Sequence, residues 1–310
     1  FDVHHRDLQR HHESLPVVTM MTAMLGLLPL LALGLLIYTV VLTVATFRGL
    51  TRPARRGYAW AVSKGLPGEP SELSSPRRFD RFEFSRDGVA FVGWSIDGGS
   101  SAGPVVVLTH GWADSKVGGL TRAEAVAPCA SRVIAWDLRG HGESGGTSTL
   151  GLEEKADLLA LIETLESDRP VVLFGWSLGA GVSIAAAVEC DRVAAVIAES
   201  PYRLATTPAR NVLLARFMPW RINLPLAMRL IGSASAWRRF DRCEIASRLR
   251  VPLLVLHGAD DPVAPVDDGR SIAEAGRGEL VTLPAGHNDI WTGAAATSAQ
   301  DAVRAFLSRL

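Results

Sequence analysis

The sequence predicts an α/β fold in which a mostly parallel, doubly wound sheet follows one transmembrane helix. From about residue 80 to the C-terminus, short apolar runs alternate with helical patterns, as is typical of parallel strands joined by crossover helices. Residues 17–47 form a separate pattern, because they contain no charged side chain and 23 of the 31 are apolar. The chain of 310 residues is long enough for one large α/β domain with a well-buried core.

The uncharged segment is predicted to cross a membrane. Its run Met24–Ala45 meets the roughly 20 apolar residues that a helix needs to span a bilayer core. A buried core helix of this length would normally have a polar face. A cleaved signal peptide would have an apolar region of about 7–15 residues followed by small residues, whereas residues 47–50 read FRGL. A membrane anchor is therefore favoured over both alternatives.

The charges on either side of this segment predict its orientation. Residues 1–16 have two basic and three acidic side chains, whereas residues 48–64 have five basic side chains and no acid. Because positive charge favours the cytoplasmic side, we predict a single-pass membrane protein whose C-terminal domain is cytoplasmic. The chain then divides into an N-terminal tail (1–16), a transmembrane helix (17–47), a basic juxtamembrane linker (48–78) and a folded domain (79–310). The paired histidines of the tail, at 4–5 and 11–12, are interpreted as solvated residues rather than metal ligands.

Charge and cysteine content exclude several kinds of protein. Lys plus Arg and Asp plus Glu both total 32, whereas a nucleic-acid-binding protein normally has a basic excess. The charge is unevenly distributed along the chain, since residues 48–64 contribute +5 and residues 65–310 contribute −4. Cys129, Cys190 and Cys243 are far apart and odd in number, which fits neither a zinc site nor a disulfide framework. We therefore expect no nucleic-acid partner and no metal site.

The domain begins with a predicted β-hairpin and continues as strands and helices. Phe82 and Phe84 alternate with charged residues, residues 87–88 mark a turn, and Val89–Ile96 follows as the second strand. Over 50 residues separate two later strands, so residues 201–240 are predicted to be a helical lid over the carboxyl edge of the sheet, where ligands bind. Near-continuous apolar runs predict buried parallel strands at Val105–Thr109, Val133–Trp136, Val171–Phe174, Val193–Ala198, Leu253–Leu256 and Leu280–Leu283, with helices at about Leu120–Cys129, Leu152–Glu166, Leu178–Val188, Val266–Ala275 and Ser298–Leu310.

The sharpest chemical signal is the sequence GWSLG at residues 175–179, which follows an apolar run and opens a helical pattern. A serine on a tight strand-to-helix turn presents its hydroxyl at the sheet edge, and glycines on both sides avoid collisions there. The first amide N–H groups of the helix are suited to stabilising an oxyanion. Ser177 is therefore predicted to be a nucleophile rather than a residue of a chance turn.

A serine nucleophile needs a general base. The chain order that accompanies this kind of turn is serine, then acid, then histidine, and among the histidines beyond the tail only His257 and His287 follow Ser177. His257 is too close in sequence to the candidate acids to be oriented by them, so His287 is the predicted base. The two remaining candidates, His110 and His141, could also reach the carboxyl edge of the sheet.

The base in turn needs a carboxylate that fixes its tautomer and stabilises the imidazolium. The segment after the predicted strand at residues 253–256 offers Asp260 and Asp261. Asp261 is preferred, because Asp260 is more typical of a turn or capping residue. Glu199, at the end of another strand, is a less favoured acid whose alternative interpretation is a polar strand end contacting the lid.

Together these motifs resemble the α/β-hydrolase superfamily, in its esterase, lipase, thioesterase and serine-peptidase-like branch. The resemblance covers about residues 80–310. It implies that the backbone amides of Trp112 and Leu178 form the oxyanion hole, and that a Ser-His-Asp triad performs two-step acyl transfer without a metal or organic cofactor. The motifs that carry it are His110-Gly111-Trp112, residues 137–144, the turn at 175–179, Asp261 before Pro262-Val263, and Gly286-His287.

The predicted lid combines apolar residues with arginines, and two interpretations of it remain open. The apolar side chains either pack down on the sheet or form an acyl-binding or membrane-facing surface, since basic amphipathic segments favour anionic interfaces. The candidate pocket and lid residues are Trp176, Phe217, Met218 and Trp220.

The function that follows is a membrane-anchored serine hydrolase that cleaves carboxylic esters or thioesters, with small-molecule and lipid acyl esters as candidate substrates. A peptidase or amidase would use the same triad and is the alternative within enzymes. A catalytically inactive binding module is the alternative from another class, and the intact set of Ser177, Asp261 and His287 argues against it.

Overall fold

The computed structural model describes residues 15–310, which contain one eight-stranded sheet. Its strands are β1 (Phe79–Arg86), β2 (Val89–Asp97), β3 (Val105–Thr109), β4 (Arg132–Trp136), β5 (Val171–Trp176), β6 (Val193–Glu199), β7 (Leu253–Gly258) and β8 (Glu279–Leu283). Their spatial order is β1-β2-β4-β3-β5-β6-β7-β8. The β1–β2 and β2–β4 pairs are antiparallel and all other neighbours are parallel. The predicted mostly parallel sheet is therefore confirmed.

The α-helices of the described residues are α1 (Leu15–Thr51), α2 (Tyr58–Ser63), α3 (Leu120–Val126), α4 (Glu154–Glu163), α5 (Leu178–Ala187), α6 (Thr206–Ala215), α7 (Asn223–Ile231), α8 (Ala234–Arg239), α9 (Arg242–Ala246), α10 (Val266–Ala275) and α11 (Gly293–Leu307). The predicted helix at 266–275 has the observed bounds. The last helix begins five residues earlier than predicted, because its first turn is Gly-Ala-Ala-Ala and has no large apolar residue to mark the buried face.

Helices cover both faces of the sheet, which explains the near-continuous apolar strands. Every residue of β3 and β5 is buried. Alternate residues of β3 point to opposite sides: Val106 and Leu108 pack in the layer that contains α3 and α11, and Val105 and Val107 pack in the layer of α4, α5, α9 and α10. The sheet is therefore doubly wound, as predicted.

The N-terminal helix α1 continues four residues beyond the predicted boundary at residue 47. Its part Met20–Thr51 has a mean hydropathy of 2.5 over its most apolar stretch and is the one helix of residues 15–310 that is long and apolar enough to cross a membrane. Thr43, Thr46 and Thr51 near its end are buried against the rest of the protein. Most of the predicted tail, residues 1–14 with both histidine pairs, lies outside the described residues.

The region predicted as a lid consists of α6, α7 and α8, and it packs on α1 as well as on the domain. Leu224 and Met228 of α7 are buried in a small apolar cluster with Tyr202. Phe217, between α6 and α7, is 98% exposed. The lid therefore divides into residues that pack inward and residues that face solvent.

Candidate active site

Ser177 lies at the turn between β5 and α5, with φ 53° and ψ −113°. A non-glycine residue at positive φ is strained, and the turn is fixed by a hydrogen bond from the Ser177 amide to the Glu199 carbonyl oxygen (2.8 Å). The flanking glycines have a steric cause: a Cβ on Gly175 would lie 2.1 Å from the Gly179 carbonyl oxygen, and one on Gly179 would lie 1.9 Å from the Thr109 carbonyl oxygen. This tight packing holds the serine hydroxyl at the carboxyl edge of the sheet.

The structure brings three predicted residues together from distant parts of the chain. His287, in the loop between β8 and α11, has Nε2 3.0 Å from Ser177 Oγ. Its Nδ1 lies 2.7 Å from Oδ2 of Asp261, in the loop after β7. Asp261, not Asp260, is the carboxylate that contacts the histidine. This arrangement orients Nδ1–H toward the acid and leaves Nε2 free to accept the serine proton.

Asp261 is held by donors on both carboxylate oxygens. Its Oδ1 accepts hydrogen bonds from the amides of Val263 and Ala264, both 2.8 Å, and its Oδ2 lies 3.5 Å from His257 Nε2. Burial alone would raise the pKa of Asp261, but the hydrogen bonds from the two histidines and the backbone outweigh it and hold that pKa below its ordinary value. The acid is therefore ionised throughout the neutral range.

The family resemblance implies two backbone amides as oxyanion donors. Trp112 lies in the loop after β3, and Leu178, directly after the serine, is the first residue of α5. Within residues 15–310, neither N–H donates to a protein acceptor, which for Leu178 is usual because it lies in the first turn of α5. A Cβ on Gly111 would lie 3.2 Å from Ser177 Cβ, so the end of β3 approaches the nucleophile closely. Two free donors beside the serine could bind a developing oxyanion.

The candidate pocket residues have different surroundings. Trp176 is buried beside the nucleophile, and its indole N–H donates to Asp114 Oδ2 (3.0 Å). Trp220 and Met218 are half-buried in the lid, whereas Phe217 points into solvent. The Trp112 indole N–H donates to the Leu50 carbonyl oxygen of α1 (2.9 Å). Sequence patterns gave no signal for this contact between the loop after β3 and the N-terminal helix.

A buried ion pair beneath the nucleophile was also missed by sequence reasoning. Arg122 of α3 binds Glu199 through two hydrogen bonds, one of them Nε to Oε2 at 2.8 Å, and Trp291 Nε1 donates to the same Oε2 at 2.7 Å. The Arg122 guanidinium also lies 4.1 Å from the centre of the Trp176 ring. Glu199 therefore supports the core below the turn through Arg122 and Trp291. The one sequence signal was an acidic residue ending a buried apolar strand.

The surroundings of His110 and His141 indicate a structural role for both rings. His110 Nε2 accepts from the Leu138 amide (2.9 Å), and its Nδ1 donates to the Gly111 carbonyl oxygen (2.7 Å). Burial lowers the pKa of His110. Burial, with a smaller contribution from His110, lowers the pKa of His141 to about 3. Both rings are therefore neutral in the folded protein. No group of three or more His, Cys, Asp or Glu side chains among the described residues is arranged to hold a metal ion.

These two histidines make folding stability sensitive to mild acid. Because their folded-state pKa values are depressed, their contribution is complete above the unfolded pKa of about 6.5 and is lost as the pH falls below it. We expect His141, whose folded-state pKa is about 3, to lower the free energy of unfolding by about 1 kcal/mol per pH unit near pH 5. Urea unfolding of the detergent-solubilised full chain between about pH 7 and pH 5 measures this slope. His141→Gln should have a shallower slope than the wild type, and equal slopes would contradict the assignment.

With this geometry in view, the fold defines the chain as an α/β-hydrolase-fold protein, and the resemblance stated from the sequence is confirmed. The model of the alpha/beta hydrolase family matches residues 106–248. The solved structure of an esterase from Pyrococcus furiosus superposes with a TM-score of 0.69 at 23% identity, covering 84% of this chain and 98% of that one. At this identity the likeness concerns the fold.

Curated relatives match over more than half of this chain. The chain is 31% identical over 194 residues to the lysophosphatidylserine lipase ABHD12 of Rattus norvegicus, an alignment covering 58% of this chain and 47% of that protein. It is 29% identical over 187 residues to the protein ABHD12B of Homo sapiens, covering 56% and 50%. The chain thus spans about half the length of the curated relatives it matches.

Proposed function

We propose that this chain is a membrane-anchored serine hydrolase that cleaves carboxylic esters or thioesters. The observation that carries the proposal is a pair of contacts at hydrogen-bond distance: His287 lies between Ser177 Oγ on one side and Asp261 on the other. The serine sits on a strained turn directly before Leu178, and Gly111, the residue before Trp112, approaches it closely. A nucleophile, a base, an orienting acid and oxyanion donors are the groups that acyl transfer requires.

In the proposed reaction, His287 Nε2 accepts the hydroxyl proton as Ser177 Oγ attacks the carbonyl carbon of the substrate. The carbonyl oxygen becomes an oxyanion that the amides of Trp112 and Leu178 bind, and Asp261 stabilises the imidazolium through Nδ1–H. The imidazolium then protonates the leaving alcohol or thiol. A water molecule, deprotonated by the same histidine, hydrolyses the acyl-enzyme and restores the serine.

The proposed anchor is α1, with the hydrolase domain on the cytoplasmic side. In support, only 6% of its most apolar stretch is buried against the protein, and residues 48–64, which include its last turn, contain five basic residues and no acid. Protease access in sealed vesicles tests the orientation. Cleavage of the domain from the cytoplasmic face supports the proposal, and cleavage only from the outer face contradicts it.

The proposed substrate class is the acyl ester of a single-chain phospholipid. The relatives that match over more than half of this chain include proteins named lysophosphatidylserine lipase, and a membrane anchor brings the site to lipid. The arginines of the lid complement an anionic headgroup.

A fluorophosphonate probe tests the catalytic proposal directly. The wild-type chain should be labelled and Ser177→Ala should not. Ser183→Ala is the matched control, because Ser183 is buried six residues further along in α5 and its hydroxyl has no hydrogen-bond partner among the described residues. This variant should label normally. Failure of the folded wild type to react would overturn the proposal.

A substrate panel tests the proposed class. It contains p-nitrophenyl esters of increasing chain length, lysophosphatidylserine, and a peptide p-nitroanilide. A preference for long acyl chains and the lysophospholipid supports the proposal. A steep fall in activity from short to long esters would contradict the lipid assignment, and preferential cleavage of the anilide would favour the peptidase alternative.

A further inference from the structure

The lid presents an unpartnered apolar surface to solvent. One line of side chains, spaced one helical turn apart, runs along α7 from the residue before it and consists of Ile222, Leu226 and Leu230. They are 61%, 37% and 61% exposed, respectively. Phe217, at the tip between α6 and α7, is 98% exposed. We call these four residues the lid stripe. Large apolar side chains exposed together in one short segment are typical of an interaction site.

The charge around the lid stripe has one sign. Residues 201–240 contain seven arginines and no lysine, aspartate or glutamate. Arg203 pairs with Asp241, outside this segment. The other six arginines form no ion pair in the part of the chain that the structure describes. These are Arg210, Arg216, Arg221, Arg229, Arg238 and Arg239. The surface that covers the lid stripe must therefore be both apolar and anionic.

The position of α7 on α1 sets its depth relative to a bilayer. Asn223 Nδ2 donates to Thr46 Oγ1 at 2.8 Å, and this hydrogen bond is buried. The apolar run Met24–Ala45 measures about 33 Å at 1.5 Å per residue, close to the roughly 30 Å of a bilayer core. Thr46 then lies where the hydrocarbon ends, and α7 lies beside it at the level of the lipid headgroups.

From these observations we infer that the lid stripe inserts into the headgroup region of an anionic leaflet, with the surrounding arginines on lipid phosphates. The inference rests on the proposed anchoring of α1. Apolar side chains penetrate about 5–10 Å in such interfacial helices, and basic residues add electrostatic attraction to anionic lipids. Because Trp112 is also bonded to the end of α1, the lid, the membrane helix and the predicted oxyanion loop form one contiguous unit at the membrane surface.

Photo-crosslinking of the full chain in vesicles tests this inference. Benzoylphenylalanine replaces Phe217, where the exposed side chain can be changed without disturbing packing. In the control protein it replaces Leu310, which is 50% exposed. The vesicles contain phosphatidylcholine alone or phosphatidylcholine with phosphatidylserine. We expect lipid adducts at position 217 but not at position 310, and more of them with phosphatidylserine. A crosslink from position 217 to a second copy of the chain, or no lipid adduct at either position, would overturn the inference.

A charge-reversal pair tests the role of the arginines. In the position-217 protein, Arg221→Glu with Arg229→Glu should lower adduct formation in phosphatidylserine vesicles at least about five-fold, since each basic residue near an anionic surface contributes to binding. Arg248→Glu with Arg250→Glu is the matched control, because these exposed arginines precede β7 at the opposite edge of the sheet. Equal adduct yields for the two pairs would contradict the inference.

Probe labelling of Ser177 in the same vesicles separates the two proposals. Labelling of Ser177 without lipid adducts at position 217 leaves the hydrolase proposal standing and overturns the lid inference. Lipid adducts without labelling support the lid inference and contradict the hydrolase proposal.

Discussion

Replacing Asp261 with asparagine is expected to lower kcat by about 10⁴-fold while the domain stays folded. The reason is the direction of the hydrogen bonds around this side chain. Oδ1 of Asp261 accepts from the amides of Val263 and Ala264, so the carbonyl oxygen of an asparagine must occupy that position. Its NH2 group then faces His287 Nδ1 and donates to it. The imidazole is forced into the tautomer with a proton on Nε2, which cannot accept the proton of Ser177.

The measurement is steady-state hydrolysis of a p-nitrophenyl ester, with circular dichroism as the check on folding. Asp260→Asn is the matched control, because this neighbouring acid is exposed and no side-chain hydrogen bond to it is found among residues 15–310. Its activity should stay within about two-fold of the wild type. A comparable loss in both variants, or a small loss in Asp261→Asn, would contradict the assignment of Asp261 as the orienting acid.

Local sequence patterns predicted the elements that carry the candidate site. Strands buried on both faces appear as apolar runs, so β3 and the start of β5 were predicted at their observed positions. The turn at Ser177 was predicted because backbone strain and close packing restrict residues 175 and 179 to glycine. Steric rules of this kind act within a few residues and can therefore be inferred from one sequence.

The contacts that could not be predicted join residues far apart in the chain. Asn223 and Thr46 are separated by 177 residues, and Arg122 and Glu199 by 77. Neither pair leaves a periodic pattern, since each is specified by how whole elements pack. The docking of α1 on the lid was missed for this reason. A long apolar helix predicts that the segment crosses a membrane. It does not predict that Thr43 and Thr46 are buried against the rest of the protein.

The buried pair of Arg122 and Glu199 carries the second large expected effect. Their side chains are 9% and 1% exposed, so removing either partner leaves a charge in the core without compensation. We expect Glu199→Gln and Arg122→Met each to lower the free energy of unfolding by about 3–5 kcal/mol. This is a large part of the roughly 5–15 kcal/mol by which most domains are stable. Denaturant unfolding of the solubilised full chain measures the loss.

The double variant and an exposed pair provide the controls. Arg122→Met with Glu199→Gln removes both charges, so its loss should be clearly smaller than the sum of the two single losses. Glu279→Gln breaks the exposed pair with Arg309 and should cost less than about 1 kcal/mol. Additive losses in the double variant would show that the two side chains do not act as a pair.

The same substitutions also test whether the buried ion pair supports the turn at Ser177. The Glu199 carbonyl oxygen accepts the hydrogen bond from the Ser177 amide, and the Arg122 guanidinium lies against the ring of Trp176, the residue before the serine. Loss of the ion pair keeps the backbone hydrogen bond itself, but it removes the side-chain contact that holds Arg122 and the end of β6 in place beside the strained turn. Glu199→Gln should therefore also lower kcat at temperatures where the variant is still folded, because the geometry between Ser177 Oγ and His287 Nε2 relaxes. Unchanged kcat in a destabilised variant would show that β5 and α5 hold the turn without the ion pair.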